Sequence, residues 1–230
     1  EWVYKVVARM RREKLTIVHA HNVATLPAGV LLKWLTGAPL VYDAHELESE
    51  ANGLSRFRSR LTRMTERLWI RAADGTVTVC DSIADWYAQT YRMRRPVVVR
   101  NIPLRDASTP ENSMMLRELH GIPDDELLFL YQGALSPGRG IGQIIETFRE
   151  LGAGKHLVLM GYGVLEEQVR EAAGRHGNIH FQPAVPPEDV QNYTSGADVG
   201  ICLIENTCLS YYYSLPNKLF EYLTCGLPVL

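Results

Sequence analysis

Short apolar runs of strand length alternate with longer stretches of helical period along almost the whole chain, and this alternation constrains the fold more than any other feature. Residues 2–13 read as a helix, with Trp2, Val6 and Met10 on one stripe and basic residues opposite. Residues 16–20 read as a strand, 24–35 as an apolar helix stopped by Gly37, 40–43 as a strand and 56–73 as a helix. Residues 75–80 follow as a strand, 82–91 as a helix capped by Ser82, and 97–99 as a strand. The rhythm breaks over residues 101–112, where Pro103, Asp106, Ser108, Thr109 and Pro110 collect. It restarts with strands at 127–131, 156–160, 179–181, 197–203 and 227–230, separated by helices at 141–151, 164–176, 188–195 and from Pro216 onward. Strands joined through helices run parallel and are covered on both faces. The expectation is an α/β chain of two Rossmann-like lobes, residues 1–105 and 106–230, each a parallel sheet covered by helices. The pattern begins mid-helix and stops inside a strand, so both lobes read as incomplete.

Composition removes several function classes. With 46% hydrophobic and 22% charged residues, the 230-residue chain has the make-up of a globular protein able to build real cores. A net charge of −2 supplies no basic field, so nucleic acid is not expected as a partner. Cys80, Cys202, Cys208 and Cys225 form no CxxC pair and read as reduced, structural thiols of a cytoplasmic protein. No run has the length of a membrane-spanning helix, and no signal peptide is expected. His19 and His21 flank Ala20, so one is expected buried and the other facing a loop. Without an evident third ligand the pair does not predict a metal.

Ligands of parallel sheets sit at the carboxyl ends of strands, which selects the loops that carry chemistry. After the apolar run ending at Leu203 comes a polar stretch and then a short helix, with Pro216 suited to its first turn and Gly226 to a left-handed cap. The free N–H groups at that helix start suit an anion. Lys218 and Glu221, three apart, face one side and offer a cation for phosphate and a carboxylate for a sugar hydroxyl. The loop at 131–141 holds Gly133, Gly138 and Gly140 beside Arg139, whose fork suits a diphosphate. It lacks the Gly-Lys-Ser/Thr ending of a Walker motif. Gly161-Tyr162-Gly163 is by itself only a tight strand-to-helix turn, and Tyr42-Asp43-Ala44-His45-Glu46-Leu47 puts His45 at another strand end.

Ser214-Leu215-Pro216-Asn217-Lys218-Leu219-Phe220-Glu221-Tyr222-Leu223, followed by Cys225-Gly226-Leu227-Pro228-Val229, resembles the donor-site helix of retaining glycosyltransferases of the GT-B fold, of the family 4 and group 1 type. The resemblance covers most of the chain. It implies that Glu221 holds the nucleotide ribose, with Ser214, Leu215 and Asn217 beside it. The earlier Glu of the family's pair falls on Tyr213. It implies that Arg139 grips the diphosphate next to Gly133 and Gly140, where the Arg that many relatives carry after the first Gly is here Ala134. Gly161 and Gly163 would line the donor, and the backbone around Val185 would read the base. His45, Arg139 and Lys218 receive the catalytic roles. The implied activity is a metal-independent retaining hexosyltransferase with a nucleotide-diphosphate sugar as donor and no separate cofactor. The acceptor would be a glycan, a lipid-linked substrate or a small molecule. A sugar-nucleotide epimerase of the same shape, relying on Asp43 and Glu46, is the alternative enzyme; a non-catalytic nucleotide-sugar binding protein is the alternative outside enzymes.

The segment from residue 56 to residue 71 carries six arginines and one glutamate in a chain of net charge −2. Arg56, Arg60, Arg63, Arg67 and Arg71 form one stripe at helical spacing, and Phe57, Leu61, Met64 and Leu68 form its neighbour. Two readings stand. The stripes dock on an anionic membrane, which places the protein at the inner membrane face, or the apolar one is core and the arginines are solvated.

Overall fold

The computed structural model describes residues 1–103 and 113–230. In chain order the elements are α1 (Trp2–Met10), β1 (Val18–His21), α2 (Leu26–Thr36), β2 (Leu40–Asp43), α3 (Arg56–Trp69), β3 (Gly75–Thr78), α4 (Asp81–Tyr91), β4 (Val97–Val98), α5 (Met115–His120) and β5 (Leu127–Ala134). They continue as α6 (Ile141–Leu151), β6 (Lys155–Tyr162), α7 (Glu166–Arg175), β7 (Ile179–Pro183), α8 (Val190–Thr194), β8 (Val199–Gly200), α9 (Leu209–Tyr212) and α10 (Asn217–Thr224). The chain forms two compact units: residues 1–101 with 206–215, and residues 102–205 with 216–230. The expected division between residues 105 and 106 lies outside the described residues.

In the first unit the strands form a parallel sheet in the order β1-β2-β3-β4. Ala20, Leu40 and Tyr42 point into a core completed by Leu26, Val30, Ile70, Ile83 and Tyr87. Leu209, Tyr213 and Leu215 pack on that same core, and the Cys80 thiol lies 3.2 Å from the Tyr213 carbonyl. Local pattern had placed this stretch with the second domain; its apolar side chains are buried with the first.

α3 begins at Ser55, whose hydroxyl accepts the Arg58 amide at 3.3 Å. Its inward anchor is Glu66, fully buried, which accepts hydrogen bonds from the hydroxyls of Tyr42 (2.6 Å), Tyr87 (2.5 Å) and Tyr91 (2.6 Å). Burial, with the Glu66 carboxylate second, pushes all three phenols upward in pKa. With Glu66 inward, the stripe on the other side of the helix must face out. Phe57 is 75% exposed, Leu61 48%, Met64 56% and Leu68 67%. The expectation that these residues form core is therefore overturned.

In the second unit the parallel order is β7-β6-β5-β8. Alternation along β5 and β6 sends Tyr131, Leu157 and Leu159 into one core, and Leu128, Leu130, Val158 and Met160 into another, so both faces are covered. The strands expected at 197–203 and 227–230 shrink to β8 and a single bridge from Gly200 to Val229, since Pro228 supplies no donor. Ser82 is already helical and does not cap α4; Cys80, in extended backbone, holds the N-cap position without a side-chain capping bond. All four cysteines are free thiols. No helix among the described residues is long and apolar enough to cross a membrane.

Candidate functional site

β5 is where the strand order of the second, all-parallel sheet reverses, with β6 and β7 on one side and β8 on the other. Connections diverge at such a point and leave a crevice beyond the carboxyl ends. α10 enters there, held by its own sequence. Tyr222 is fully buried; its hydroxyl accepts the Gln132 amide at 2.9 Å and lies 3.0 Å from the Leu130 carbonyl, which it serves as donor. The ring fits because Gly200 has no Cβ, which would otherwise stand 2.4 Å from it. Gly226, at φ 78°, closes the helix as the sequence predicts, and the Leu227 amide bonds back to the Tyr222 carbonyl at 3.0 Å.

The first turn of α10 aims Lys218 at the end of β5. Its ammonium lies 3.5 Å from the Tyr131 ring centre and over Gly133, where a Cβ would stand 3.5 Å from it. Lys218 is 8% exposed, and among the described residues its Nζ has no hydrogen-bond acceptor. Burial is the main reason its pKa falls to about 7. Cys202 and Glu221 oppose the fall, and Arg139 adds to it. The Cys202 thiol, in turn, is pushed up by burial against the pull of Lys218 and Arg139. Two cations, a thiol and a carboxylate thus share the crevice.

Glu221 is fixed by a relay that sequence reasoning missed. Its Oε2 accepts from Gln132 Nε2 at 2.5 Å, and Thr194 Oγ1 lies 2.7 Å from Gln132 Oε1. Because the carboxylate demands a donor, the amide nitrogen of Gln132 faces it and its oxygen accepts a hydrogen bond from the Thr194 hydroxyl. Gln132 and Thr194 are buried. A polar residue at an inward position between Leu130 and Ala134 was the available signal.

The other expected site residues divide. Arg139 is half-buried in the loop before α6, and Asn217 opens α10. The Gly140 amide donates to Glu205 Oε1 at 3.0 Å, and a Cβ on Gly140 would meet Leu203 at 2.2 Å. Gly161 and Gly163 have a packing reason: a Cβ would stand 1.9 Å from the Gly133 carbonyl oxygen and 2.3 Å from that of Leu135. Val185 packs on the core beneath β5. Ser214 and Leu215 belong to the first unit, with Ser214 Oγ donating to the Tyr211 carbonyl at 2.8 Å. His45 also lies in the first unit, after β2, with Nδ1 3.9 Å from Asp43 Oδ1. His19 and His21 are both exposed on one face, contrary to expectation, because residues two apart in a strand point the same way. The sheet brings Asp43 to them.

Residues 1–102 match the family described as Glycosyltransferase Family 4, and residues 115–230 match Glycosyl transferases group 1. An uncharacterized glycosyltransferase, YqgM of Bacillus subtilis (strain 168), is 26% identical over 199 residues, which is 82% of this chain and 52% of that protein. Alpha-maltose-1-phosphate synthase of Mycolicibacterium smegmatis is 25% identical over 210 residues, covering 83% and 54%. The chain therefore spans about half the length of the curated relatives it matches. Among solved structures, HepE of Anabaena in complex with UDP-glucose has a TM-score of 0.76 at 17% identity, covering 99% of this chain and 62% of that one. This likeness shows the fold, α/β of the GT-B type.

Proposed function

This chain belongs to the glycosyl transferases of group 1, and from that premise we propose that it moves a hexose, with retention, from a nucleotide-diphosphate sugar to a glycan, lipid-linked or small-molecule acceptor. The observation that carries the reading is Lys218. A buried ammonium without an acceptor is costly, and a diphosphate seated over Gly133 relieves it. As the bond from the anomeric carbon to the leaving oxygen opens toward an oxocarbenium-like state, its electron pair passes to the diphosphate, where Lys218 and Arg139 meet the growing charge. Side chains supply that charge without a metal. Glu221, oriented by Gln132, takes the ribose hydroxyls. The UDP-glucose bound to HepE supports a nucleotide sugar as the donor class.

Turnover of labelled nucleotide sugars, with and without acceptor, tests this. Label should reach the acceptor with the donor's anomeric configuration, and only when acceptor is present. An epimerised nucleotide sugar formed without acceptor establishes the epimerase instead. Nucleotide binding with no turnover of any kind establishes a binding protein.

The outward stripe of α3 favours a lipid-linked acceptor at an anionic membrane. Phe57, Leu61, Met64 and Leu68 are exposed together and flanked by Arg56, Arg58, Arg60 and Arg67. An apolar stripe set among arginines matches the acyl and headgroup layers of an anionic leaflet.

A further inference from the structure

The carboxyl ends of β1 and β2 carry a second cluster of chemically active side chains. His21 and Asp43 are register partners on the two parallel strands, and His19 precedes His21 by two residues on the same face. His21 Nδ1 lies 2.9 Å from Asp43 Oδ2, and His19 Nε2 lies 3.9 Å from that same oxygen. One ligand atom from each residue falls within 4.8 Å of the other two. The imidazoles face each other with ring centres 4.1 Å apart. Both histidines are exposed, so the cluster is open to solvent. We propose that His19, His21 and Asp43 bind a borderline transition-metal ion of the Zn2+ and Co2+ class, the ion taking the place of the His21–Asp43 hydrogen bond.

Metal bonds of about 2.0–2.1 Å at tetrahedral angles set ligand atoms about 3.3 Å apart. The observed separations straddle that spacing, so side-chain rotation closes the site and the strand ladder stays as it is. Two imidazoles and one carboxylate favour zinc-like ions, whereas Mg2+ and Ca2+ require shells of oxygen. Three protein ligands leave a position for water or an incoming oxygen. His45 faces the other oxygen of Asp43 and stands outside the ligand set. None of the three ligands belongs to the donor site proposed above, so this inference stands or falls separately.

Equilibrium dialysis of the chain against Zn2+, with the visible spectrum of bound Co2+ as a readout of geometry, tests it. The expected result is one ion per chain at about pH 7.5. His21→Ala, His19→Gln and Asp43→Asn should each lower affinity by more than about a hundredfold, beyond the roughly 10–100-fold that loss of an outer partner costs. His180→Ala should change nothing, and Mg2+ should not bind. Melting curves separate a lost ligand from a lost fold, and the two exposed histidines repeat the test independently. Absence of Zn2+ binding, Zn2+ retained by His21→Ala and His19→Gln, or Zn2+ lost in His180→Ala instead overturns the proposal.

Discussion

A lysine held at a pKa of about 7 by burial carries its own pH signature. The folded value lies below the unfolded one of about 10.4, so the unfolded chain binds more protons between those two values. Stability therefore rises with pH across that window, and the Lys218 penalty is fullest below about pH 7. A diphosphate reverses the balance, because it favours the ammonium. Nucleotide binding near pH 8 should take up a proton, measurable by calorimetry in buffers of different ionisation enthalpy, and Lys218→Ala should weaken it by about 1.5–3 kcal/mol. Binding without proton uptake would remove Lys218 from the phosphate site. Glu221→Ala should cost about 1–3 kcal/mol in nucleotide affinity while melting hardly changes. Gln132→Leu should cost less affinity and lower stability by about 1–2 kcal/mol, since it strips the Glu221 carboxylate of this donor and the Thr194 hydroxyl of this acceptor. Unchanged affinity in both variants rejects the ribose role. That Lys218, Glu221 and Arg139 lie near one strand end was legible in the sequence, because helix spacing and glycine position are local. Gln132 and Thr194, 62 positions apart, meet only across the sheet.

At the scale of elements, α3 shows why a helical stripe cannot declare which way it points. Spacing put Phe57, Leu61, Met64 and Leu68 on one face, and only the Glu66 hydrogen bonds to three tyrosines turn that face outward. Each arginine near an anionic leaflet contributes about 1 kcal/mol, and Arg63 is already paired with Glu50. The chain should sediment with anionic vesicles at low salt and release as salt shortens the Debye length below about 8–10 Å. Leu68→Asp should abolish the binding without altering the melting curve. Binding indifferent to lipid charge and salt, or none, leaves a soluble acceptor as the better reading. A second element-level prediction concerns the strand starts at His156 and His180. Nδ1 of His156 lies 3.0 Å from Nε2 of His180, and the His120 ring stands 5.2 Å from that of His180. Burial first, then His120 and His156, depress the His180 pKa to about 4. With folded values below the unfolded value of about 6.5, stability is present above that pH and lost as pH falls toward 4. After screening, His180→Phe should remove about 1–2 kcal/mol of that acid sensitivity in the second unit, read from urea midpoints at several pH values.

For the molecule as a whole, the compact units do not follow the order of the chain. Residues 206–215 belong to the first unit although both flanks belong to the second. Leu209→Ala should therefore destabilise the first unit by about 1–2 kcal/mol, seen as faster amide exchange in β1 to β3 and unchanged exchange in β5 and β6. Exchange that rises in β5 and β6 instead would return the segment to the second unit. The sequence by itself determined the alternating elements, their parallel pairing, the break after Asn101 and the short helix closed by Gly226. Each rests on periodicity, on steric limits of proline and glycine, or on side chains one helical turn apart, and these act within a few residues. Only the tertiary structure decided that β5 is the point of reversal, which core receives Leu209, which face of α3 meets solvent, and that Asp43 joins His19 and His21. Those outcomes depend on pairings between distant segments, where burial of one face or one carboxylate selects among arrangements that local pattern leaves equal.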